Sequence, residues 1–405
     1  MPRIIINQQF SRSQSEHTNE KELLKSCLTL HPSESRLDLS RRALLNQLDW
    51  EYIFQFAERH ALVPLLYHQF KLIGADSIPS EYLHRFKLGY QANVARSQVL
   101  SAELLSLTEG FQSRGIESLP YKGPVLGQIA FGDPALRCFI DLDIIVRPRD
   151  VSLAIEILRA RGYQPEPDID ARQTQILIAS QHSLPFQIDG GHLIVELHWR
   201  VSADFFASAL DPEYLWRRLE PVTLNKVQLN SLPIEDLLFA LCIHGSRHVW
   251  DRVSQICDIA ALISSNPNID WEELMTAARA ADAERMLLLG LCLAAEFTED
   301  VLPPDVQHSI AADHGTRRLA TQVLARLFSE NAGTSLSFPE VFRYNLLARK
   351  SLSARLRYCL FALSPADSDL QTVALPRYLN FTYYGLRPFR LLVSAYRKQK
   401  KSPAP

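Results

Sequence analysis

Between Ile116 and Val201 the chain abandons the helical spacing of apolar residues that governs both of its flanks. Upstream, Leu44, Leu45 and Leu48, then Ile53, Phe54 and Ala57, recur as on one face of a helix, and Asp49 is placed to cap the second segment. One long helix is predicted from Glu81 to about Arg114, stopped by Gly115. Short apolar runs then take over. A strand at Ile116–Leu119, a helix at Pro124–Phe131, a turn at Gly132-Asp133-Pro134 and a strand at Phe139–Val146 follow in order. A helix over Val151–Arg161 closed by Gly162 comes next, then a hairpin joining Gln187–Ile188 to Leu193–Val201 through Gly190-Gly191. Helical spacing returns in segments at Glu235–His244, Asp251–Ile263 and Trp271–Phe297, the last with a break, and Pro303-Pro304 opens a final helical portion. Strands alternating with helices form a layered core, so the predicted class is α+β: a mixed sheet flanked by N- and C-terminal helical regions.

A chain of 405 residues exceeds what one compact core usually serves. The expected division is a flexible N-terminus over 1–20, a helical region over 21–90, an α/β core over 91–230, a helical domain over 231–340 and a basic, aromatic helical end over 341–405. With 47% hydrophobic and 22% charged residues the composition is that of a globular protein. The six cysteines are scattered without a CxxC pair, which fits buried thiols in a reducing compartment. The longest apolar stretch, Met286–Phe297, would span about 18 Å as a helix, short of the roughly 30 Å of a bilayer core, and the first residues carry no secretory signal. The expected location is the cytoplasm.

The formal net charge of −2 conceals an asymmetry: twelve Lys or Arg against two acids from Val341 onward give +10 there and leave −12 on the first 340 residues. That end, interleaved with Tyr378, Phe381, Tyr383, Tyr384 and Phe389, suits an acidic partner or a membrane surface, or else is simply a solvated helical end. The α/β stretch itself is not basic, which argues against nucleic acid as the main partner.

The chemistry concentrates in Phe139-Ile140-Asp141-Leu142-Asp143-Ile144-Ile145-Val146. Alternate residues of a strand share a face, so Asp141 and Asp143 project together about 7 Å apart along the strand, with Leu142, Ile144 and Val146 pointing into the core. Two carboxylates in an otherwise apolar strand repel each other unless they are solvated at a strand end or neutralised by a cation, and hard Mg²⁺ suits one or two carboxylates plus phosphate oxygens. Just upstream, Lys122-Gly123-Pro124 opens a helix, where backbone N–H groups attract phosphate and glycine permits close approach. In Leu193–Arg200 a second apolar strand is interrupted by Glu196 and His198 on one face. A third carboxylate there could complete a cation site or act as a base, or it could be a rim glutamate in an ion pair. His198 could equally be structural. His244 and His248 stand four residues apart on a helix, but no glutamate follows His244 as a zinc protease requires.

Together, Lys122-Gly123, Phe131-Gly132-Asp133, Arg137, Asp141-x-Asp143 and Glu196-Leu197-His198-Trp199 resemble the uncharacterised nucleotidyltransferase family of the polymerase-β-type nucleotidyltransferase superfamily. The resemblance covers about Gln91 to Asp258 and is looser in the helical flanks and at Leu386-Arg387-Pro388. Lys122-Gly123 stands where the superfamily usually has Gly-Ser, and Glu196 where Asp is also common. The resemblance implies Mg²⁺ (or Mn²⁺) held by Asp141, Asp143 and Glu196, a nucleoside triphosphate as co-substrate, and Lys122 and Gly123 facing the triphosphate. Arg137 sits where the family tends to carry Arg and is either phosphate-directed or a surface residue. Arg247, His248 and Trp250, like His198, are candidates to touch base, phosphate or acceptor, with helix packing as the alternative. The implied reaction is attack of an acceptor on the α-phosphorus with release of pyrophosphate. Two other readings stay open: a glycosyltransferase, in which Asp-x-Asp holds Mn²⁺ and a nucleotide sugar, and a catalytically degenerate binding module on the same fold.

Overall fold

The computed structural model describes residues 17–166, 174, 175, 178, 181–201, 215–300, 302–329 and 336–363. Five helices come first: α1 (Thr18–Cys27), α2 (Glu34–Ala43), α3 (Trp50–Arg59), α4 (Val63–Ile73) and the 34-residue α5 (Ser80–Ser113). The carboxylate of Asp49 caps α3 by accepting from the Tyr52 N–H at 3.0 Å, as its position before an apolar periodic run predicts. Gly115, at φ 74°, lets the chain turn out of α5 in a conformation that costs a side-chain-bearing residue strain.

The α/β stretch follows: β1 (Ser118–Pro120), α6 (Gly123–Phe131), β2 (Asp141–Val146), α7 (Val151–Ala160), β3 (Gln164–Pro165), β4 (Ser183–Ile188) and β5 (Leu193–His198). These strands form one sheet in the order β1-β2-β5-β4-β3. Only β2 and β5 run parallel; the remaining pairs are antiparallel, so the sheet is mixed as predicted. A separate hairpin, β6 (Glu220–Leu224) and β7 (Val227–Ser231), turns through Asn225 and Lys226, both at positive φ. The helices α8 (Ile234–Arg247), α9 (Val253–Ser265), α10 (Trp271–Ala280), α11 (Glu284–Ala294), α12 (Pro304–Ala312), α13 (His314–Leu327), α14 (Phe338–Leu347) and α15 (Leu352–Leu363) complete the described chain.

Two apolar clusters hold these layers. One lies on a single face of the sheet, where Leu142, Ile144, Val195 and Leu197 meet Leu104 and Phe111 of α5 and Leu158 of α7. The other is larger and runs through the helical flanks, joining the sheet through Leu119, Tyr121 and Ile145. Helix α5 serves both: Phe86 near its start belongs to the helical cluster, and Leu100 onward covers the sheet. This is why a helix of such length is stable although it spans two environments.

Several boundaries differ from the sequence reading. The first helix begins at Thr18, inside the stretch expected to be loose, and residues 1–16 lie outside the described residues. Strand β4 starts at Ser183, not Gln187, because Pro185 masks an alternation of Leu184, Phe186 and Ile188. Strand β2 begins at Asp141, two residues later than expected, and α8 runs on to Arg247. The break in Trp271–Phe297 falls at Asp282, which has positive φ. Of the basic C-terminal region, residues 364–405 and the aromatic residues singled out there lie outside the described residues. Four of the six cysteines are buried, while Cys138 and Cys359 are half-buried, and all six are free thiols. No helix among the described residues is long and apolar enough to cross a membrane.

Candidate functional site

The parallel register of β2 and β5 pairs Asp141 with Ile194, Asp143 with Glu196 and Ile145 with His198. Residues two apart share a strand face and cross-strand partners are immediate neighbours, so Asp141, Asp143, Glu196 and His198 form one polar patch. The intervening Leu142, Ile144, Val195 and Leu197 are buried on the opposite face. The patch floors a cavity of about 660 Å³, a size typical of small-molecule sites. The N-terminal helices wall it at Glu58 and Arg96, and α8, α9 and the turn between them wall it at His244, Arg247, Arg252 and Asp258.

Charge pairing dominates the floor. The Lys122 ammonium donates to Asp143 Oδ1 at 2.9 Å, and His198 Nε2 approaches the same oxygen at 3.0 Å and Glu196 Oε2 at 3.4 Å. On the other side of Glu196, the Ser183 hydroxyl donates to Oε1 at 2.7 Å. Burial alone pushes the Asp143 carboxyl up, but the Lys122 charge and the His198 hydrogen bond outweigh it and hold the group far below the usual carboxylate range. Glu196 follows the same logic: burial opposes ionisation, the His198 charge prevails, and the carboxyl is held at about 2. Burial opposes the charge on His198 as well, yet Glu196 and Asp143 raise its pKa. Asp141 differs. It makes no side-chain hydrogen bond among the described residues, and burial, with the Asp143 charge second, pushes it up to about 6.

Helix α6 begins beside this patch. Gly123 opens it at φ 54°, and a Cβ there would stand 3.3 Å from the Asp141 carbonyl oxygen, so only glycine brings the helix N-terminus so close to β2. The turn after α6 is tied down by Asn93 of α5, whose amide donates to the carbonyls of Ala135 at 2.8 Å and Arg137 at 3.1 Å. Helix α9 is fastened to α6 by the Ser265 hydroxyl, which donates to the Ala130 carbonyl at 2.8 Å.

Each residue singled out from the sequence has a definite place. Asp141, Asp143, Glu196, Lys122 and His198 all line the cavity, whereas Gly123 does not. Lys122, expected to face a triphosphate, is directed at Asp143 and is 7% exposed. Arg137 is not the surface residue that an arginine before a strand suggests: its guanidinium makes a two-pronged ion pair with Asp258 of α9 at 2.9 and 3.0 Å. The reason is tertiary, since the partner lies 121 positions away. His248 lines the cavity with its ring 4.5 Å from that of His244, and burial, then the Arg247 charge, pushes its pKa down, so it presents a neutral imidazole. Trp250 does not reach the cavity. It is fully buried against Gly245 and Gly290, which gives it the packing role.

Two contributors escaped the sequence reading. Ser183 was hidden by the misplaced start of β4. His182, just before it, contacts Arg247 through Nε2. An alternating Leu184-x-Phe186-x-Ile188 pattern was the available signal for both.

The mixed sheet carries acids on two adjacent parallel strands with a glycine-opened helix beside them, the arrangement that the sequence led us to expect of a nucleotidyltransferase. The family model described as uncharacterised nucleotidyltransferase matches residues 46–299, more than half of the chain, and the protein belongs to that family. No curated protein matches the sequence.

Proposed function

We propose that the protein transfers a nucleotidyl group from a nucleoside triphosphate to a small-molecule, peptide or protein acceptor, with Asp141, Asp143 and Glu196 holding Mg²⁺. The observation that carries this reading is the Asp143–Glu196 register, which sets two carboxylates side by side on the cavity floor with Asp141 next along the strand. The donor set fits a hard cation, since all three ligands are carboxylate oxygens. So does the unpartnered Asp141, whose charge beside Asp143 calls for a counter-ion. When bound, Mg²⁺ would neutralise triphosphate oxygens and stabilise charge on the leaving pyrophosphate.

The chain's own groups do the rest. The N-terminus of α6 offers backbone N–H groups to phosphate. Lys122 carries positive charge between that helix and the acids, and exposed Arg247 and Arg252 supply more along the opposite wall. Neutral His244 and His248 suit a base or an uncharged acceptor group better than phosphate. The Arg137–Asp258 pair joins the turn before β2 to α9 and so fixes the width of the cavity.

The buried Lys122–Asp143 pair favours a second reading, in which lysine serves as the permanent counter-ion and the fold only binds a partner. One experiment separates the two. Fluorescent nucleotide is titrated onto the full chain with and without Mn²⁺, alongside Asp141→Ala, and α-labelled nucleotides are then incubated with cell extract as the source of acceptor. Transfer requires Mn²⁺-dependent binding that Asp141→Ala removes, followed by label on an acceptor. Binding that ignores both the ion and the mutation would sink it.

A further inference from the structure

The side of the patch nearest β4 has a different chemical character from the rest. One donor atom each from His182, Glu196 and His198 lie within 4.8 Å of one another, two imidazole nitrogens and one carboxylate oxygen. The sheet produces this trio directly. Glu196 and His198 share a face of β5, and Ser183 of β4 pairs with His198, which leaves His182 beside them at the strand's start. Both histidines are buried, and each has an Nδ1 atom without a hydrogen-bond partner among the described residues. An unsatisfied buried ring nitrogen is costly, and both rings belong to a trio whose donor atoms lie close enough to share one ion. Among the described residues, the second nitrogen of His182 is held by Arg247, an exposed side chain.

Two imidazoles and a carboxylate are not what Mg²⁺ selects. They are the donors of borderline divalent ions, which bind such sets through three protein ligands and keep one position open. We propose that His182, Glu196 and His198 form a binding site for a divalent transition metal of the Zn²⁺ type, and that filling it withdraws Glu196 from the Mg²⁺ site and inhibits transfer. The inhibitory half rests on the function proposed above; the binding half does not. Among the described residues His182 does not line the cavity, so it is the member of the trio that separates the two sites.

Co²⁺ serves as the probe, because its visible absorption reports coordination without any need for activity. The metal-stripped full chain is titrated with Co²⁺ alone, in parallel with His182→Ala, the size-preserving His182→Gln and Asp141→Asn, each checked for cooperative thermal unfolding. The expected result is one saturable site per chain with visible absorption bands, weakened roughly 10–100-fold or more in either His182 variant. The bands persist in Asp141→Asn, which loses Mn²⁺-dependent nucleotide binding instead. Absence of a saturable Co²⁺ site in the parent chain overturns the proposal. So do bands that survive in both His182 variants, or bands that vanish in Asp141→Asn. A parent chain that binds Co²⁺ but never nucleotide keeps the transition-metal site and discards the Mg²⁺ reading. Zn²⁺ that fills the site without lowering Mn²⁺-dependent nucleotide binding removes the inhibitory half.

Discussion

The two faces of the five-stranded sheet are built from the same twelve residues of β2 and β5, yet they do opposite things. One face, with Leu142, Ile144, Val195 and Leu197, is sealed under α5 and α7 and contributes stability through burial of apolar surface. The other, with Asp141, Asp143, Glu196 and His198, lies beneath a cavity, where Asp143, Glu196 and His198 are matched by charged partners and Asp141 is not. Strand alternation lets a protein place a costly polar site one residue away from the core that supports it. The difference teaches that the cavity face is maintained by charge matching rather than by packing, and it can be attacked on those terms.

The largest expected effect comes from breaking the match. Lys122→Met leaves the Asp143 carboxylate buried with His198 as its remaining hydrogen-bond partner among the described residues, and loss of one partner of a buried pair costs about 3–5 kcal/mol. Chemical denaturation of parent and variant should differ by that amount, and Mn²⁺ should stabilise the variant more than the parent, because it can replace the missing cation. Equal stability in the two chains would mean that the pair is not what holds the floor.

Next comes the apolar face. Leu197 is fully buried, and Leu197→Ala should cost about 2–5 kcal/mol through lost burial and the cavity left behind. Well below its melting temperature, however, this variant should bind nucleotide as the parent does. A folded Leu197→Ala chain that cannot bind nucleotide would show that the two faces are coupled, and the comparison would fail.

The smallest effect separates the faces by pH, since the residues of the apolar face have nothing to titrate. Asp141, pushed up to about 6 from an ordinary value near 3.8, binds its proton more tightly in the folded chain than in the unfolded one. Its contribution is therefore full below about pH 4 and is lost as pH rises towards 6, by at most about 1–3 kcal/mol. Glu196, held at about 2, acts with the opposite sign: its contribution is present above its ordinary value and is lost as pH falls through the acid range. Thermal melts of parent and Asp141→Asn between pH 4 and 7 should therefore diverge, with the slope flattened in the variant. Parallel curves would assign the pH dependence elsewhere.

Much of this was legible beforehand, and for a definite reason. The parity of Asp141, Asp143, Glu196 and His198 follows from the two-residue repeat of a strand, and the glycine at the head of α6 follows from the backbone it must adopt; both are local properties. The α+β class and the capping of α3 by Asp49 are local in the same sense. What resisted reading was punctuated or paired at a distance. Pro185 concealed the start of β4 and with it His182, and the hairpin at Asn225-Lys226 passed unnoticed because its strands are short and mostly polar.

By itself, then, the order of residues determined which side chains share a face and where glycine must stand, because those relations are set by backbone geometry over a few residues. Only the tertiary structure decided that Lys122 answers Asp143, that Arg137 answers Asp258 across 121 positions, and that His182 joins Glu196 and His198. Charges are matched by whatever the packed layers bring within reach, and that reach is a property of the assembled fold, not of the chain's sequence order.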